Sequence, residues 1–174
     1  MSRIEAGALH PMKRWNSILE IVKGVCEKMH AQLRGIPVFY DFPDDFPLVP
    51  TDYMMMEQVF SNLLSNSIKY APENSPIRIS GKVEDDRAII RVINQSPYVP
   101  EEHLEHIFDK FFRVTQADKI TGTGLGLSIC KGLIEAHDGK IWAENRPDGF
   151  TFNITLLLIL EGERPKLPGD ETDG

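Results

Sequence analysis

Cysteine is nearly absent: Cys26 and Cys130 are the only two in 174 residues, far apart and outside any C-x-x-C spacing. That argues against a disulfide framework or a zinc module and fits a reducing cytosol. No apolar run approaches the length that crosses a bilayer, and the first residues lack a secretory leader pattern. Cations are also in short supply, 19 Lys and Arg against 26 Asp and Glu, for a net charge of -7. Without a basic stripe to displace counterions, a generic nucleic-acid binder is disfavoured, and no nucleic-acid partner is expected. What is present is globular: 41% hydrophobic residues in a length that suits one domain with a real core.

The opening "SRIEAGALHP" reads as a helix end stopped by Gly7 and Pro11. From Ser17 to Leu33, Ile18, Ile21, Val22, Val25 and Met29 keep a helical period. "IPVFYDFP" alternates as a short strand, and "PLVPTDY" is a Pro-bounded edge strand or turn. A second helix is expected from a cap at Thr51 or Asp52 to just before Pro72. "IRISGKVEDDRAIIRVIN" predicts two strands about an Asp85-Asp86 turn, where Gly would suit a type I′ turn better. "PEEHLEHIFDKFF" starts a helix with Pro at the first position and acids in the first turn. A third long helix should run from about Gly124 to His137, before "KIWAENRP" and "FTFNITLLLIL" pair as strands. The acidic, Pro- and Gly-rich 161–174 reads as a disordered tail. There is no internal repeat, and the class is α+β, with helices on one face of a mixed sheet.

Two features carry chemistry. In "EQVFSNLLSNSIKYAP", Val59, Phe60, Leu63, Leu64 and Ile68 make an apolar face, while Asn62, Asn66 and Lys69 share another at i, i+4 and i+7. Asparagine disfavours helix interiors because its amide competes for backbone hydrogen bonds. Either the stripe is simply solvated, or its amide oxygens serve a hard cation such as Mg²⁺ and Lys69 faces phosphate. Downstream, Gly122, Gly124 and Gly126 alternate with Thr123 and Leu125 and run into a helix. Glycines permit close approach of a polyanion, and the helix amides beyond them point at it. Between the two lies "HIFDKFFRV": Phe108, Phe111 and Phe112 are core by default, or anchor a segment that brings Lys110 and Arg113 over phosphates. Together these describe a nucleotide phosphate site with a divalent ion.

The order of motifs resembles the ATP-binding catalytic domain of two-component sensor histidine kinases, in the GHKL superfamily. The resemblance rests on "EQVFSNLLSNSIKYAP" (the N box), "FDKFFRV" (the F box) and "GTGLGLSICKGLIEAHDGKIWAEN" (the second glycine box), and it covers roughly Trp15 to Leu158. "RIEAGAL" and "FPLVPTDYMMMEQVFSNLL" look most like potassium-responsive sensor kinases of the KdpD type. It implies a two-layer α/β sandwich of the Bergerat type, about three helices on about five strands, holding ATP and Mg²⁺ beneath a mobile lid. By motif position, Asn66 is the metal ligand and Asn62 sits beside it at the phosphates. Lys69 and Arg113 meet phosphate oxygens, Tyr70 packs by the adenine, and Lys110 with Gly122, Thr123, Gly124, Leu125 and Gly126 belongs to the lid. Hydrolytic members of the superfamily carry a glutamate where Asn62 stands. A carboxamide cannot activate water, so the resemblance implies phosphoryl transfer rather than hydrolysis.

The implied domain plan is 1–12 as the end of a dimerisation helix and linker, 13–160 as the catalytic domain and 161–174 as the tail. The implied partners are a dimerisation domain carrying the phosphoacceptor histidine and a response regulator. The implied setting is the cytoplasm, with the full-length protein a homodimer and this fragment monomeric; whether the full-length protein is anchored in the inner membrane, as is common in the family, is left open. Two departures stand against this pattern. The family's first glycine box reads approximately Asp-x-Gly-x-Gly, where the Asp accepts from the adenine amino group. Here "NQSPYVPEE" puts Asn94, Ser96 and Tyr98 at its three signature positions. Losing the charge alone weakens nucleotide affinity ~5–10-fold, and Tyr98 is strained if its backbone needs a positive φ. A working kinase with an altered base pocket and a docking module with a degenerate one are both open. Second, none of His10, His30, His103, His106 and His137 has the sequence context of a phosphoacceptor, which is expected upstream of Met1. His103 and His106 alone are too few for a metal site.

Overall fold

A computed structural model describes residues 9–110, 126–160 and 167. Five strands form the main sheet, in the order β2 (Val38–Asp41), β4 (Ile77–Glu84), β5 (Arg87–Asn94), β7 (Gly149–Leu157), β6 (Lys140–Arg146). β2 pairs parallel with β4 and the other neighbours are antiparallel, so the sheet is mixed. On one face lie α1 (Ile18–Lys28), α2 (Tyr53–Tyr70), the short α3 (Glu101–Leu104) and α4 (Gly126–Ala136). The apolar faces of these helices meet Ile79, Ile90, Val92, Phe152 and Ile154 in one core. The expected α/β sandwich is therefore the observed one.

The local chemistry explains most boundaries. Ser17 caps α1 by accepting from Glu20 N at 3.2 Å, and Asp52, rather than Thr51, caps α2 by accepting from Met55 N at 3.2 Å. Thr51 instead ends β3 (Val49–Thr51), which pairs antiparallel with β1 (Arg14–Asn16) in a small separate sheet. β1 escapes a reading of hydrophobic period because three residues are too few to show one. The Asp85-Asp86 turn joins Glu84 to Arg87, with Asp85 at φ 57° supplying the left-handed residue in place of glycine.

Two expectations need correction. α1 ends at Lys28, not Leu33: Met29 leaves helical geometry at ψ 21°, and turns carry the chain to Gly35 at φ 81°. Leu33 stays buried, so the apolar period outlasts the helix. The segment after Pro100 is helical only over Glu101–Leu104, and Pro100 is its cap rather than its first residue. Beyond it, His106 N and Asp109 N donate to carbonyls three residues back, a tighter turn that still keeps Leu104, Ile107 and Phe108 in the core. At the end of α4, Asp138 takes the left-handed conformation at φ 60°. Gly139, the next residue, has a steric requirement: a Cβ there would collide with the Thr155 carbonyl oxygen.

Candidate functional site

The polar stripe runs along α2 on the side that meets α4. Asn62 Nδ2 donates to the Gly126 carbonyl at 3.1 Å, and its Oδ1 accepts from Gln58 Nε2 at 3.3 Å. Asn62 thus ties the middle of α2 to the first residue of α4. A Cβ on Gly126 would come no nearer than 3.9 Å to this amide, so the helix start sits close without crowding. One turn on, the side chain of half-buried Asn66 makes no hydrogen bond with any described residue. Lys69 is exposed, its Nζ 4.8 Å from the centroid of the Tyr70 ring. Deeper in the same helix pair, the Cys130 thiol donates to the Val59 carbonyl at 3.5 Å, and burial pushes its pKa up to about 12. It is an inert packing group.

At the end of β5, Asn94 is fully buried and both ends of its amide are engaged. Ser67 gives its only hydroxyl proton to the Leu63 carbonyl at 2.9 Å, so its oxygen accepts from Asn94 Nδ2 at 2.8 Å. That relay fixes the amide, leaving Oδ1 to accept from Ser96 N at 2.8 Å. The segment after Asn94 is fastened twice more: Gln95 Nε2 donates to the Asp148 carbonyl at 3.0 Å, and Asn145 bonds both backbone groups of Val99, at 3.0 and 2.8 Å. Neither Ser96 nor Tyr98 has a positive φ, and Tyr98 stands 68% exposed. The feared backbone strain at Tyr98 is therefore absent.

Of the remaining sequence candidates, Lys110 is exposed and Phe108 packs edge-on to Phe152 at 6.3 Å in the core. Arg113, Phe111, Phe112, Gly122, Thr123, Gly124 and Leu125 lie outside the described residues. His106 pairs with Asp109 at 3.0 Å, and no cluster of three metal-ligating side chains occurs among the described residues. A cleft of about 530 Å³ opens on the α1 side of α2, near Gln32, Arg34, Ile68, Glu73 and Asn74. It lies away from the stripe, because Ile68 is two residues, about 200° of helix turn, beyond Asn66.

Sequence reasoning missed Ser67, Asn145 and His137. Ser67 left a trace, a hydroxyl on the otherwise apolar face of Phe60, Leu63 and Leu64. His137 is 2% exposed; its Nδ1 donates to the Leu133 carbonyl at 2.8 Å and its Nε2 accepts from Asp52 N at 3.0 Å. The imidazole is thus neutral with the proton on Nδ1, and burial lowers its pKa.

The described donor set suits a polyphosphate with a hard cation. A carboxamide with no partner of its own among the described residues, Asn66, stands one turn from an exposed ammonium, Lys69, on the face that meets Gly126. Comparison with known proteins identifies the family. The histidine kinase-, DNA gyrase B- and HSP90-like ATPase family matches residues 51–160. The chain is 34% identical over 157 residues to the sensor protein KdpD of Escherichia coli (strain K12), covering 90% of this chain and 17% of that protein. It is 33% identical over 144 residues to the adaptive-response sensory kinase SasA of Synechocystis sp. (strain ATCC 27184 / PCC 6803 / Kazusa), covering 80% of this chain and 38% of that protein. The chain therefore spans well under half of these relatives.

Among solved structures, the nucleotide-free catalytic domain of histidine kinase ThkA is similar at 31% identity and a TM-score of 0.74, covering 86% of this chain and 96% of that one. ThkA in complex with the response regulator protein TrrA is similar at 29% identity and a TM-score of 0.71, covering 88% of this chain and 42% of that one. The fold and the family match agree: the chain belongs to the histidine kinase-, DNA gyrase B- and HSP90-like ATPases.

Proposed function

We propose that the chain is the catalytic domain of a two-component sensor histidine kinase. It binds Mg-ATP and delivers the γ-phosphoryl group to a histidine on an adjoining dimerisation domain, for passage to a response-regulator aspartate. The observation that carries this is Asn66: a half-buried carboxamide in mid-helix, with no partner among the described residues, near Lys69 and one turn from Asn62, which bonds Gly126. In this reading Asn66 holds Mg²⁺ through its amide oxygen, and Lys69 turns from Tyr70 toward phosphate while Tyr70 flanks the base. Bound Mg²⁺ supplies neutralisation of charge on the phosphate oxygens. The protein's own part is positioning. Asn62 sets the distance between α2 and α4, and its carboxamide is no base, which favours transfer over hydrolysis. Asn94 takes its base-side role from motif position alone. Lys110, Arg113 and Gly122 to Leu125 take their phosphate-side roles from motif position alone.

A second reading is favoured by one observation. Asn94 is sealed from solvent with both amide ends already bonded within the chain, so base recognition is weak and the domain works by docking. Labelled Mg-ATP, supplied with the dimerisation domain of a KdpD-type kinase, separates the two. Phosphohistidine formation that Asn66→Ala abolishes is the expected result. Absence of both transfer and calorimetrically detected Mg-ATP binding at millimolar concentration would overturn the kinase reading and leave the docking module.

A further inference from the structure

The joint between Asp52 and His137 joins more than two elements. Asp52 makes three different bonds to three parts of the chain. Its Oδ1 caps α2 through Met55 N, its backbone N–H goes to His137 at the end of α4, and its Oδ2 accepts from Met12 N at 3.0 Å. Met12 belongs to the segment that enters β1, and the next residue, Lys13, lies 3.8 Å from Asp138, which follows His137. At the other end of α4, Asn62, midway along α2, holds Gly126. α4 is thus fastened to α2 at both of its own ends, and one fastening is shared with the entering chain.

We infer that Met12, Asp52 and His137 form a three-segment joint through which the seating of the entering segment sets the position of α4 against α2. His137 and Asp52 are positioning residues: neither touches the polar stripe, yet His137 holds the helix whose other end meets Asn62. Asp52 lies ten residues from Asn62, roughly 15 Å along the helix axis, so a disturbance at Met12 reaches the stripe only through α4 or α2 as a body. When the entering segment lifts, Asp52 loses one of two carboxylate contacts, its backbone is freer to tilt, and the His137 bond loosens. For its effect on nucleotide the inference rests on the stripe being the nucleotide site; the coupling of the helices does not.

Two substitutions open the joint without touching the stripe. Met12→Pro deletes the N–H donor, and Asp52→Asn keeps an oxygen to cap Met55 while facing Met12 with an amino group. Hydrogen exchange of the ligand-free chain is read at Cys130 to Leu133, whose bonds close the first turn of α4. Each variant should speed exchange there roughly 3–10-fold, about what one lost hydrogen bond delivers. The double variant should exceed neither single one, since both remove the same contact. His137→Gln, acting from the α4 side, should raise the same amides. Exchange at Cys130 to Leu133 unchanged in Met12→Pro and Asp52→Asn, or an additive double variant, would overturn the joint. Titration with Mg-ATP supplies a separate arm, with a 3–10-fold affinity change expected in both variants. Unchanged affinity in binding-competent variants would overturn transmission to the site, whereas no binding by the unmodified chain would overturn the nucleotide reading and leave the exchange result standing.

Discussion

Asn62 and Asn66 sit one turn apart on the same face of α2, and their replacement by alanine should separate architecture from function. The Asn66 side chain makes no hydrogen bond with a described residue, so Asn66→Ala removes no polar contact of the described fold. Alanine gains roughly 0.5 kcal/mol of helix propensity over asparagine. At about 2–4 °C per kcal/mol for a domain of this size, Tm should rise by about 1–2 °C. Asn62→Ala has the same propensity gain but loses the bond to the Gly126 carbonyl, which contributes about 0.5–1.5 kcal/mol. Its Tm should stay level or fall by up to ~4 °C. Function reverses the ranking. If Asn66 is the metal ligand, its loss removes an interaction with a charged group, about 1.5–3 kcal/mol, and weakens Mg-nucleotide binding ~10–150-fold. Thermal unfolding by circular dichroism and calorimetric titration with a non-hydrolysable Mg-ATP analogue measure the two quantities on the same samples. An Asn66→Ala variant that loses several degrees of Tm, or that binds the analogue like the parent, would refute the assignment.

Acidification should destabilise the fold through His137. The folded chain keeps this imidazole neutral, with a lowered pKa, among Lys13, Asp52 and Asp138, whereas the unfolded chain takes up the proton near its ordinary value of about 6.5. The unfolded state therefore binds more protons below that pH, so stability present above 6.5 is lost as pH falls toward the folded value; His137→Gln should remove this part of the slope in denaturant titrations run from pH 7.5 to 5. Ser67→Ala strands the buried Asn94 amide, and chemical denaturation should record a loss of about 1–3 kcal/mol, largely recovered when Asn94 is also made apolar.

Much of the secondary structure was legible in order and type. Long amphipathic segments such as α2, with Asp52 ahead and Pro72 behind, declare their limits through local chemistry, and the β4–β5 hairpin does so through alternation. Boundaries failed where apolar spacing survives a change of backbone. Met29 and Leu33 beyond α1, and Ile107 and Phe108 beyond α3, stay in the core on turns, because burial selects side-chain direction and not helix as such. The three-residue β1 gave no periodic signal and exists because it pairs with β3.

At the site, the sequence by itself determined the residue types: two asparagines and a lysine at helical spacing, a glycine-spaced loop, and a base-box position filled by Asn94. Their spacing along the chain fixes which side chains share a helix face, since a helix has one period. Only the tertiary structure decided their employment. Asn62 is a tether to Gly126, Asn66 is left with no partner among the described residues, and Asn94 is locked by Ser67, 27 residues earlier. His137, read as a poor phosphoacceptor, joins α4 to the cap of α2 across 85 residues. A hydrogen bond needs donor and acceptor within about 3 Å, in line; periodicity sets the direction of each side chain, but packing the helices on the sheet sets which polar groups meet.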